Sequence, residues 1–359
     1  MAIFTGQLRS NEIFSALYNM IISQEVFADN LGEHQTLVDK ARVDGGLYGD
    51  TKLYYSTDVL KSVPWGDDAE AANLLALHRP EAPECQAIHL DIFRQICLTV
   101  DNYLSKRAWA TEGAFSSFNS IMLGWMKETK RVYDGTLYNV FIGTTKAAGA
   151  GQTISVDLSG ATSLTGVEKE QMEAMLIAQK LADLMVAMGD YSRDFNDYGN
   201  LRSYAKDSIK VIWNSKFVNK IRKVDLPTIF HKDGLVDKFE EEILPERYFG
   251  DIQTEGHTSV AGERSIVEKD YTVSNKTTHV FPGDLIPVGA TVAANESYKA
   301  PAKDVICKVL VKLPPYMSAF EVGTSFFNAK SLTENHYLTF GHNTIEYLKN
   351  YPFITVQVK

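Results

Sequence analysis

The stretch IHLDIFRQICLTV, residues 88–100, alternates apolar and polar side chains over an unusual length. Six apolar residues occupy every second position, interrupted only by Arg94: Ile88, Leu90, Ile92, Ile96, Leu98 and Val100. This period of two predicts one β-strand of about thirteen residues, roughly 40 Å long. Common strands have about five or six residues. We therefore expect an arm that completes its packing on another chain.

The sequence upstream supplies a partner strand and an acidic loop. Leu53, Tyr55 and Val59 fall on one side of a second alternating run, with polar residues on the other. A two-stranded hairpin is only marginally stable by itself, so we expect this region to contact a neighbouring subunit. The candidates for that contact in the loop are Trp65, Asp67 and Asp68.

Two later segments show the 3.6-residue period of an α-helix. An apolar stripe begins at residue 113, and we expect the helix to break at Asp134-Gly135 before the pattern resumes. Residues 168–188 repeat apolar side chains every three or four positions and are followed by a glycine, which is typical of a helix C-terminus. A shorter amphipathic pattern predicts a separate helix at 12–28.

Short alternating runs predict β-strands in the rest of the chain, at 154–158, 209–213, 305–313 and 354–358. The odd-numbered residues of 305–313 are apolar and are expected to share one face. Residues 250–300 are rich in Gly, Thr and Ser, and they contain turn sequences such as Pro282-Gly283-Asp284. The chain thus combines two strong helices with many short strands.

The composition is that of an ordinary globular protein. Of 359 residues, 45% are hydrophobic and 23% are charged, which excludes a disordered or low-complexity chain. The 36 Lys and Arg residues are outnumbered by 45 Asp and Glu residues, giving a net charge of −9. A protein that wraps nucleic acid over a broad face is normally basic. Any DNA contact here is therefore expected to be local and weak.

Cysteine usage and hydropathy indicate a reducing compartment and no membrane segment. Cys85, Cys97 and Cys307 are an odd number without metal-binding spacing, which predicts free thiols. No uncharged apolar run reaches the length of a membrane helix. Glu12 and Asn19 interrupt an N-terminal stretch that faintly imitates a signal peptide, so export is not expected.

The motifs of common enzyme classes are missing. There is no phosphate loop G-x-x-x-x-G-K-[ST], no dinucleotide fingerprint G-x-G-x-x-G, no metal motif H-E-x-x-H and no nucleophile elbow G-x-S-x-G. His231 and Asp233 have the residue types of a base and its orienting carboxylate, but Asp233-Gly234 is typical of a turn. The sequence therefore predicts no catalytic, cofactor or metal site.

Three aspartates, Asp190, Asp194 and Asp197, resemble a cation cluster. Arg193 stands among them, and the ligand positions of a calcium loop are not met. We expect Arg193 to pair with one of these three carboxylates in a salt-bridged turn.

A basic run stands out in this acidic chain: Lys216, Lys220, Arg222 and Lys223. The commonest role of such a run is a solvated helix face. The alternatives are contact with acidic residues of a neighbouring subunit, such as the patch at 67–70 or Glu240-Glu241-Glu242, and contact with phosphate. These four residues join the acidic loop as candidates for a subunit interface.

The order of elements resembles the major capsid proteins of tailed bacteriophages, which have the Hong Kong 97 fold. The sequence GAFSSF at 113–118 resembles the start of that family's spine helix. The sequences SRDFN at 192–196, LRSY at 201–204 and DSIKVIW at 207–213 resemble the entry into its axial domain. This last likeness is closest to small short-tailed phages of the phi twenty-nine kind.

The resemblance implies an α+β fold in five parts. These parts are an N-terminal arm at 1–43, a long two-stranded extended loop at 44–100, a peripheral domain with the spine helix at 101–190, an axial domain at 191–304, and return strands to both domains at 305–359.

The resemblance also implies a structural protein, not an enzyme, without cofactor or membrane contact. Such a protein forms hexamers and pentamers of itself, encloses double-stranded DNA in an icosahedral shell with portal and scaffold proteins, and resides in the virion after assembly in the host cytoplasm. A bacterial encapsulin-type nanocompartment shell is the alternative within this fold. A soluble α+β hydrolase using His231 and Asp233 is the alternative from another class.

Overall fold

The computed structural model describes residues 37–45, 50–62, 77, 79–101, 112–145, 152–218, 240–302 and 304–359. The predicted helix at 12–28 lies outside these ranges. The α-helices with both ends inside these ranges are α1 (Leu37–Ala41), α2 (Glu112–Ile142) and α3 (Gly166–Gly189), and residues 215–218 are also helical. The strands within them are β1 (Arg42–Asp44), β2 (Lys52–Ser56), β3 (Glu84–Ile88), β4 (Ile92–Asp101), β5 (Thr144–Thr145), β6 (Thr153–Val156), β7 (Lys210–Asn214), β8 (Glu240–Leu244), β9 (Gly250–Gln253), β10 (His257–Thr258), β11 (Arg264–Ser265), β12 (Lys269–Val273), β13 (Lys276–Val280), β14 (Thr291–Val292), β15 (Tyr298–Pro301), β16 (Val305–Leu310), β17 (Tyr316–Asn328), β18 (Thr333–His342) and β19 (Phe353–Val358).

A five-stranded sheet in the order β6-β19-β16-β7-β8 carries the largest core. The apolar stripe of α3, including Ile177, Leu181 and Leu184, packs on one face of this sheet, against residues such as Val309 and Ile354. The opposite face packs against the end of α2 in a second cluster. Both predicted features, the helix at 168–188 and the strand at 354–358, are confirmed because each has the periodicity of its buried face.

The predicted common face of 305–313 is interrupted at both ends. Cys307 and Val309 lie on the α3 side, as the odd-numbered pattern predicts, but Val305 and Leu313 lie in the opposite cluster, and the strand ends at Leu310. The register of β16 against β19 shifts between Val305 and Cys307. Such an irregularity adds a residue to one strand and reverses the alternation of side chains.

Helix α2 runs without interruption through Asp134-Gly135, where the sequence predicted a break. A glycine inside a helix costs about 1 kcal/mol relative to alanine, and aspartate tends to bond to its own backbone. Here the Asp134 side chain is buried, and it accepts hydrogen bonds from Tyr316 and Arg42 of distant segments. Tertiary contacts therefore outweigh the local preference for a turn.

Two buried lysines bind backbone carbonyls at and just beyond the C-terminal end of α2, whose own last turn contains no basic residue. Lys299 of β15 donates hydrogen bonds to the carbonyls of Val140 and Tyr248, both at 2.5 Å. Lys308 of β16 donates to the carbonyl of Thr144 at 2.8 Å. Cations are favourable at this end of a helix because its unpaired carbonyls carry partial negative charge. Burial lowers the pKa of Lys299 to about 7, and a neutral amine still has two protons for its two carbonyl partners.

The predicted thirteen-residue strand at 88–100 is in fact two strands with different partners. β3 pairs with β2 in a separate hairpin, whereas β4 pairs along its whole length with β18 in a four-stranded sheet of order β1-β17-β18-β4. Asp91 lies at the break, and its carboxylate accepts hydrogen bonds from the backbone and the hydroxyl of Thr344 at 2.6 and 2.5 Å. The alternation passes through the break unchanged, so periodicity alone does not reveal the change of partner.

Two glycines next to or inside α2 give opposite expectations for substitution by alanine. A Cβ at Gly143 would lie 2.1 Å from the Tyr248 carbonyl oxygen, whereas a Cβ at Gly124 meets no atom within 4 Å. Gly143→Ala should destabilise the subunit by about 1–3 kcal/mol, because backbone must move. Gly124→Ala should stabilise it by about 0.5–1 kcal/mol through helix propensity. Urea unfolding of unassembled subunits measures both, and equal effects of the two variants would contradict the packing of Gly143 on Tyr248.

Candidate assembly surfaces

The hairpin of β2 and β3 presents its apolar side to solvent. Leu53 is 52% exposed and Tyr55 is 64% exposed, and they pair with the exposed residues Ala87 and Cys85. The opposite side of the hairpin is the buried one, and it carries the polar residues Ser56 and Gln86 together with Tyr54 and the buried Ile88. We call Leu53, Tyr55, Cys85 and Ala87 the hairpin face. An apolar face turned outward on a two-stranded hairpin is typical of a surface that another molecule covers.

The loop end of the hairpin, where residues 56–58 leave β2, is clasped to the loop at 190–202. The Asp58 carboxylate accepts hydrogen bonds from the Arg193 guanidinium at 2.6 Å and from the Leu201 backbone at 2.9 Å. Two further bonds in the clasp are Arg202 Nη2 to the Thr57 carbonyl at 2.5 Å and Asn200 Nδ2 to Ser56 Oγ at 2.6 Å. These contacts hold the loop end of the hairpin against the body.

The clasp corrects the prediction for Arg193, which pairs with Asp58 and not with a carboxylate of its own loop. The bond from the Leu201 backbone, followed by the bond from Arg193, lowers the pKa of Asp58 to about 2. Of the three loop aspartates, Asp194 accepts from Ser192 and Asp197 accepts from the Tyr347 hydroxyl. Among the described residues, no group of three or more His, Cys, Asp or Glu side chains has the geometry to hold a metal ion.

A second exposed surface lies at the far end of the four-stranded sheet. Every residue of β17 from Glu321 to Asn328 is exposed, and because successive side chains point to opposite faces, neither face is covered there. We call Phe326, Phe327 and Leu332 the sheet tip; all three are exposed. In the part of the chain that the structure describes, the outer edge of β4 pairs with no strand, and an open edge is a ready template for another strand.

A buried ionic network holds this sheet on α2. The Asp134 carboxylate accepts from the Tyr316 hydroxyl at 2.6 Å and from the Lys130 ammonium at 3.1 Å, and Arg42 lies 3.5 Å away. Lys130 also lies 3.4 Å from Glu321. Burial raises the pKa of Tyr316, so its hydroxyl stays protonated as a donor. One carboxylate thus joins α2 to β1 and β17.

Of the interface candidates from the sequence, the described residues include only Lys216. Its ammonium lies 3.2 Å from Glu246 of the same chain. The other candidates, Lys220, Arg222, Lys223, Trp65, Asp67 and Asp68, lie outside the described residues, as do His231 and Asp233 of the hydrolase alternative. The sequence reasoning missed Asp58, although Arg193, its partner, belongs to the segment that carries the family resemblance.

Hydropathy adds one observation on membranes. Across the described ranges, no helix combines the length and the apolar character needed to span a bilayer.

Comparisons with known protein structures identify similar folds. No protein-family model matches the chain, and no curated protein matches it. A chain from the capsid structure of Staphylococcus phage Andhra is similar with a TM-score of 0.58 and 12% identity, over 93% of this chain and 87% of that chain. A chain from the structure of the head fibre and inner core protein gp22 of native bacteriophage P68 is similar with a TM-score of 0.61 and 11% identity, again over 93% and 87%.

These likenesses extend over nearly the whole chain, and at such low identity they establish the fold and nothing finer. The α+β fold of phage capsid chains, which the sequence resemblance implied, is therefore confirmed.

The Asp134 network gives a prediction for stability. Asp134→Asn leaves the buried Lys130 ammonium without its closest carboxylate, and breaking a buried pair in this way costs about 3–5 kcal/mol. We expect the lower end of that range, because Glu321 remains within reach. The matched control is Glu81→Gln, which breaks the highly exposed Lys61–Glu81 pair and should change stability by less than about 1 kcal/mol. Similar losses for both variants in urea unfolding would contradict the network.

The clasp gives a prediction for pH. Because the folded pKa of Asp58, about 2, lies below its ordinary value of 3.8, charged Asp58 stabilises the fold fully above that ordinary value and loses its effect as the pH falls through about 2. The unfolding midpoint of Asp58→Asn should therefore lie below that of the wild type at neutral pH, with the gap closing in acid. Asp183→Asn, at an exposed position of α3, is the control and should match the wild type at neutral pH. A gap that persists unchanged to pH 2 would refute the clasp.

Proposed function

We propose that this chain is the structural subunit of a tailed-bacteriophage head, and that copies of it build a closed icosahedral shell around DNA. The observation that carries the proposal is the hairpin face, which turns apolar side chains outward on a hairpin clasped to a body with a phage-capsid fold. Burying a large apolar side chain is worth about 1.5–3 kcal/mol. A neighbouring copy that covers this face therefore gains stability that the single chain lacks.

The sheet tip supports the same proposal as a second, different contact surface. Closed rings of identical subunits need heterologous contacts, in which one surface of a subunit meets a different surface of the next. The hairpin face and the sheet tip belong to different sheets of the molecule. A subunit with two such surfaces can use one of them for contacts within a ring and the other for contacts between rings.

The finer parts of the proposal come from the sequence resemblance. We propose hexamers and pentamers as the rings, portal and scaffold proteins as further partners, weak non-specific contact with the packaged DNA, assembly in the host cytoplasm, and kinship with short-tailed phages of the phi twenty-nine kind. The five-part division of the chain and the interface roles of the acidic loop and the basic run belong to the same proposal.

The test compares two double variants of the hairpin face. Leu53→Asp with Tyr55→Asp places charge in the proposed contact and should yield folded subunits that do not form shells. Leu53→Met with Tyr55→Phe keeps the surface apolar and should assemble like the wild type. Sedimentation velocity and negative-stain electron microscopy measure assembly, and circular dichroism with thermal unfolding verifies that each subunit is folded.

Closed particles of normal size from the Asp variant would sink the proposal for the hairpin face. Wild-type material that never forms particles, even with a co-expressed scaffold, would sink the capsid proposal itself and is what the hydrolase alternative predicts. Particles that consistently co-purify with an enclosed protein cargo would favour the nanocompartment alternative.

A further inference from the structure

Charge is distributed unusually over the two sides of the strands β4, β18 and β17. One side packs towards α2, and it carries charged residues. The Arg94 guanidinium lies 5.1 Å from the ring centroid of Tyr133 on that helix, and the Glu321 carboxylate lies 3.4 Å from the Lys130 ammonium. In an antiparallel sheet with one covered side, charged residues normally lie on the other side, towards water.

The opposite side of these strands, which we call the outer face, is almost free of charge. It consists of every second residue: five on β4 from Phe93 to Asp101, four on β18 from Thr333 to Thr339, and four on β17 from Val322 to Asn328. All thirteen are exposed or partly exposed. A protein surface has about 25–35% charged residues, which predicts about four here. Only Asp101, at one corner, is charged.

Polar side chains of the outer face bond to one another across the strands. Gln95 Nε2 donates to Thr339 Oγ1 at 2.9 Å, and Thr99 Oγ1 donates to Asn335 Oδ1 at 2.7 Å. Burying a polar group is costly when it loses water without gaining another partner. These four residues already have partners, so a second molecule can cover them without breaking their hydrogen bonds.

Apolar side chains stand beside these polar pairs. Phe93 is 58% exposed, Val322 is 40% exposed and Phe326 is 63% exposed. Cys97 and Tyr337 are paired with each other in the middle of the outer face. The core of a protein–protein interface is poor in charged residues and rich in aromatic ones. The outer face therefore has the composition of an interface core.

The charge of the chain indicates what kind of partner covers this surface. Each copy has a net charge of −9, so two copies repel each other at long range. A basic partner would be recognised through acidic residues, and the outer face offers only Asp101. An uncharged surface instead lets a second acidic chain approach without bringing like charges together. The partner that fits is another copy of this chain.

Size indicates which surface of the second copy fits. Strands lie about 4.8 Å apart and alternate residues about 6.7 Å apart, so the outer face covers roughly 380 Å² and the hairpin face roughly 130 Å². The hairpin face would thus leave most of the outer face uncovered. A second outer face matches the first in area and in its lack of charge, and two sheets pack face to face about 10 Å apart.

We propose that the outer faces of two copies pack on each other around a twofold axis. Because the same patch serves both partners, this contact closes at two copies and cannot extend into a ring. It therefore joins subunits of different rings. The proposal rests on the assembly function for its setting, because roughly 380 Å² per copy is about half of what each partner contributes to a stable interface. The contact is weak in an isolated pair and gains strength where a shell repeats it.

Two exposed cysteines allow a direct test, because Cys97 lies on the outer face and Cys85 lies on the hairpin face. The third cysteine, Cys307, is buried. Sheets about 10 Å apart, with strands about 4.8 Å apart, place the two Cys97 thiols of a pair within about 14 Å of each other. A bis-maleimide that spans this distance is added to full-length subunits, both in particles and unassembled at high concentration. On denaturing gels, Cys85→Ser should give covalent dimers, and Cys85→Ser with Cys97→Ser should give none.

Neighbouring residues of β17 provide a matched pair of charge variants. Thr324 belongs to the outer face, whereas Ser325 points to the other side of the sheet, and both are exposed. In the Cys85→Ser background, Thr324→Glu should lower the dimer yield about tenfold or more, because the twofold contact brings two like charges together. Ser325→Glu should leave the yield unchanged. Circular dichroism verifies that both variants are folded.

The twofold pairing is wrong if Cys85→Ser gives no dimer in either preparation, or if Thr324→Glu leaves the dimer yield unchanged. It is also wrong if the product needs both cysteines and the wild type forms a ladder of oligomers. That result would mean that the hairpin face covers the outer face, and it would leave the assembly function intact. Wild-type subunits that never form particles would contradict the assembly function, whereas a Cys97 dimer trapped from unassembled subunits would still support the pairing.

Discussion

A buried carboxylate on a long helix constrains how this chain packs. Asp134 lies in the interior, where an ionised group is tolerated only with charged and hydrogen-bonding partners around it. Those partners come from its own helix and from two strands, through Lys130, Arg42 and Tyr316. Another arrangement of the sheet on α2 would leave this carboxylate without Arg42 and without the Tyr316 hydroxyl, so the network favours the observed docking.

At the end of α2 the buried groups are lysine amines, and their partners are backbone carbonyls. There Lys299 of β15 donates to the Val140 carbonyl of the helix, and Lys308 of β16 donates to the Thr144 carbonyl just after it. The middle of the helix thus contacts the sheet β1-β17-β18-β4, and the residues at its end contact strands of two further sheets. The hairpin face and the sheet tip are left as exposed surfaces of this body.

Sequence patterns predicted the elements whose burial depends on neighbours within the same periodic stretch. Helix α3 and strands β7, β16 and β19 belong to this group, since each shows its buried face in its own spacing. The patterns failed where a distant residue decides the outcome. The Asp134-Gly135 segment stays helical because Asp134 bonds to Tyr316 and Arg42, and Arg193 pairs with Asp58, 135 residues away.

The candidate surfaces were predicted in part. The alternation of Leu53 and Tyr55 identified the hairpin, but spacing cannot tell which side of an isolated hairpin faces outward. That outcome depends on Gln86 and Ser56, which bond inward to Tyr347 and Asn200. The short strands of 250–300 had no periodic signal long enough to predict how they pair. The Glu268 and Asp270 carboxylates meet His279 only when β12 and β13 pair with each other.

The strand pairing has a consequence for how the chain is made. Arg42 of β1 lies beside Tyr316, Ile92 of β4 lies beside His342, and β6 lies beside β19. On the ribosome, the early strands emerge long before the partners that complete their sheets, and such non-local pairing is slow. The hairpin is clasped to residues 193–202 earlier, but its contacts with Tyr347 and Lys349 form only when these residues have been translated. The sheets and the second set of hairpin contacts are therefore completed only at the end of synthesis.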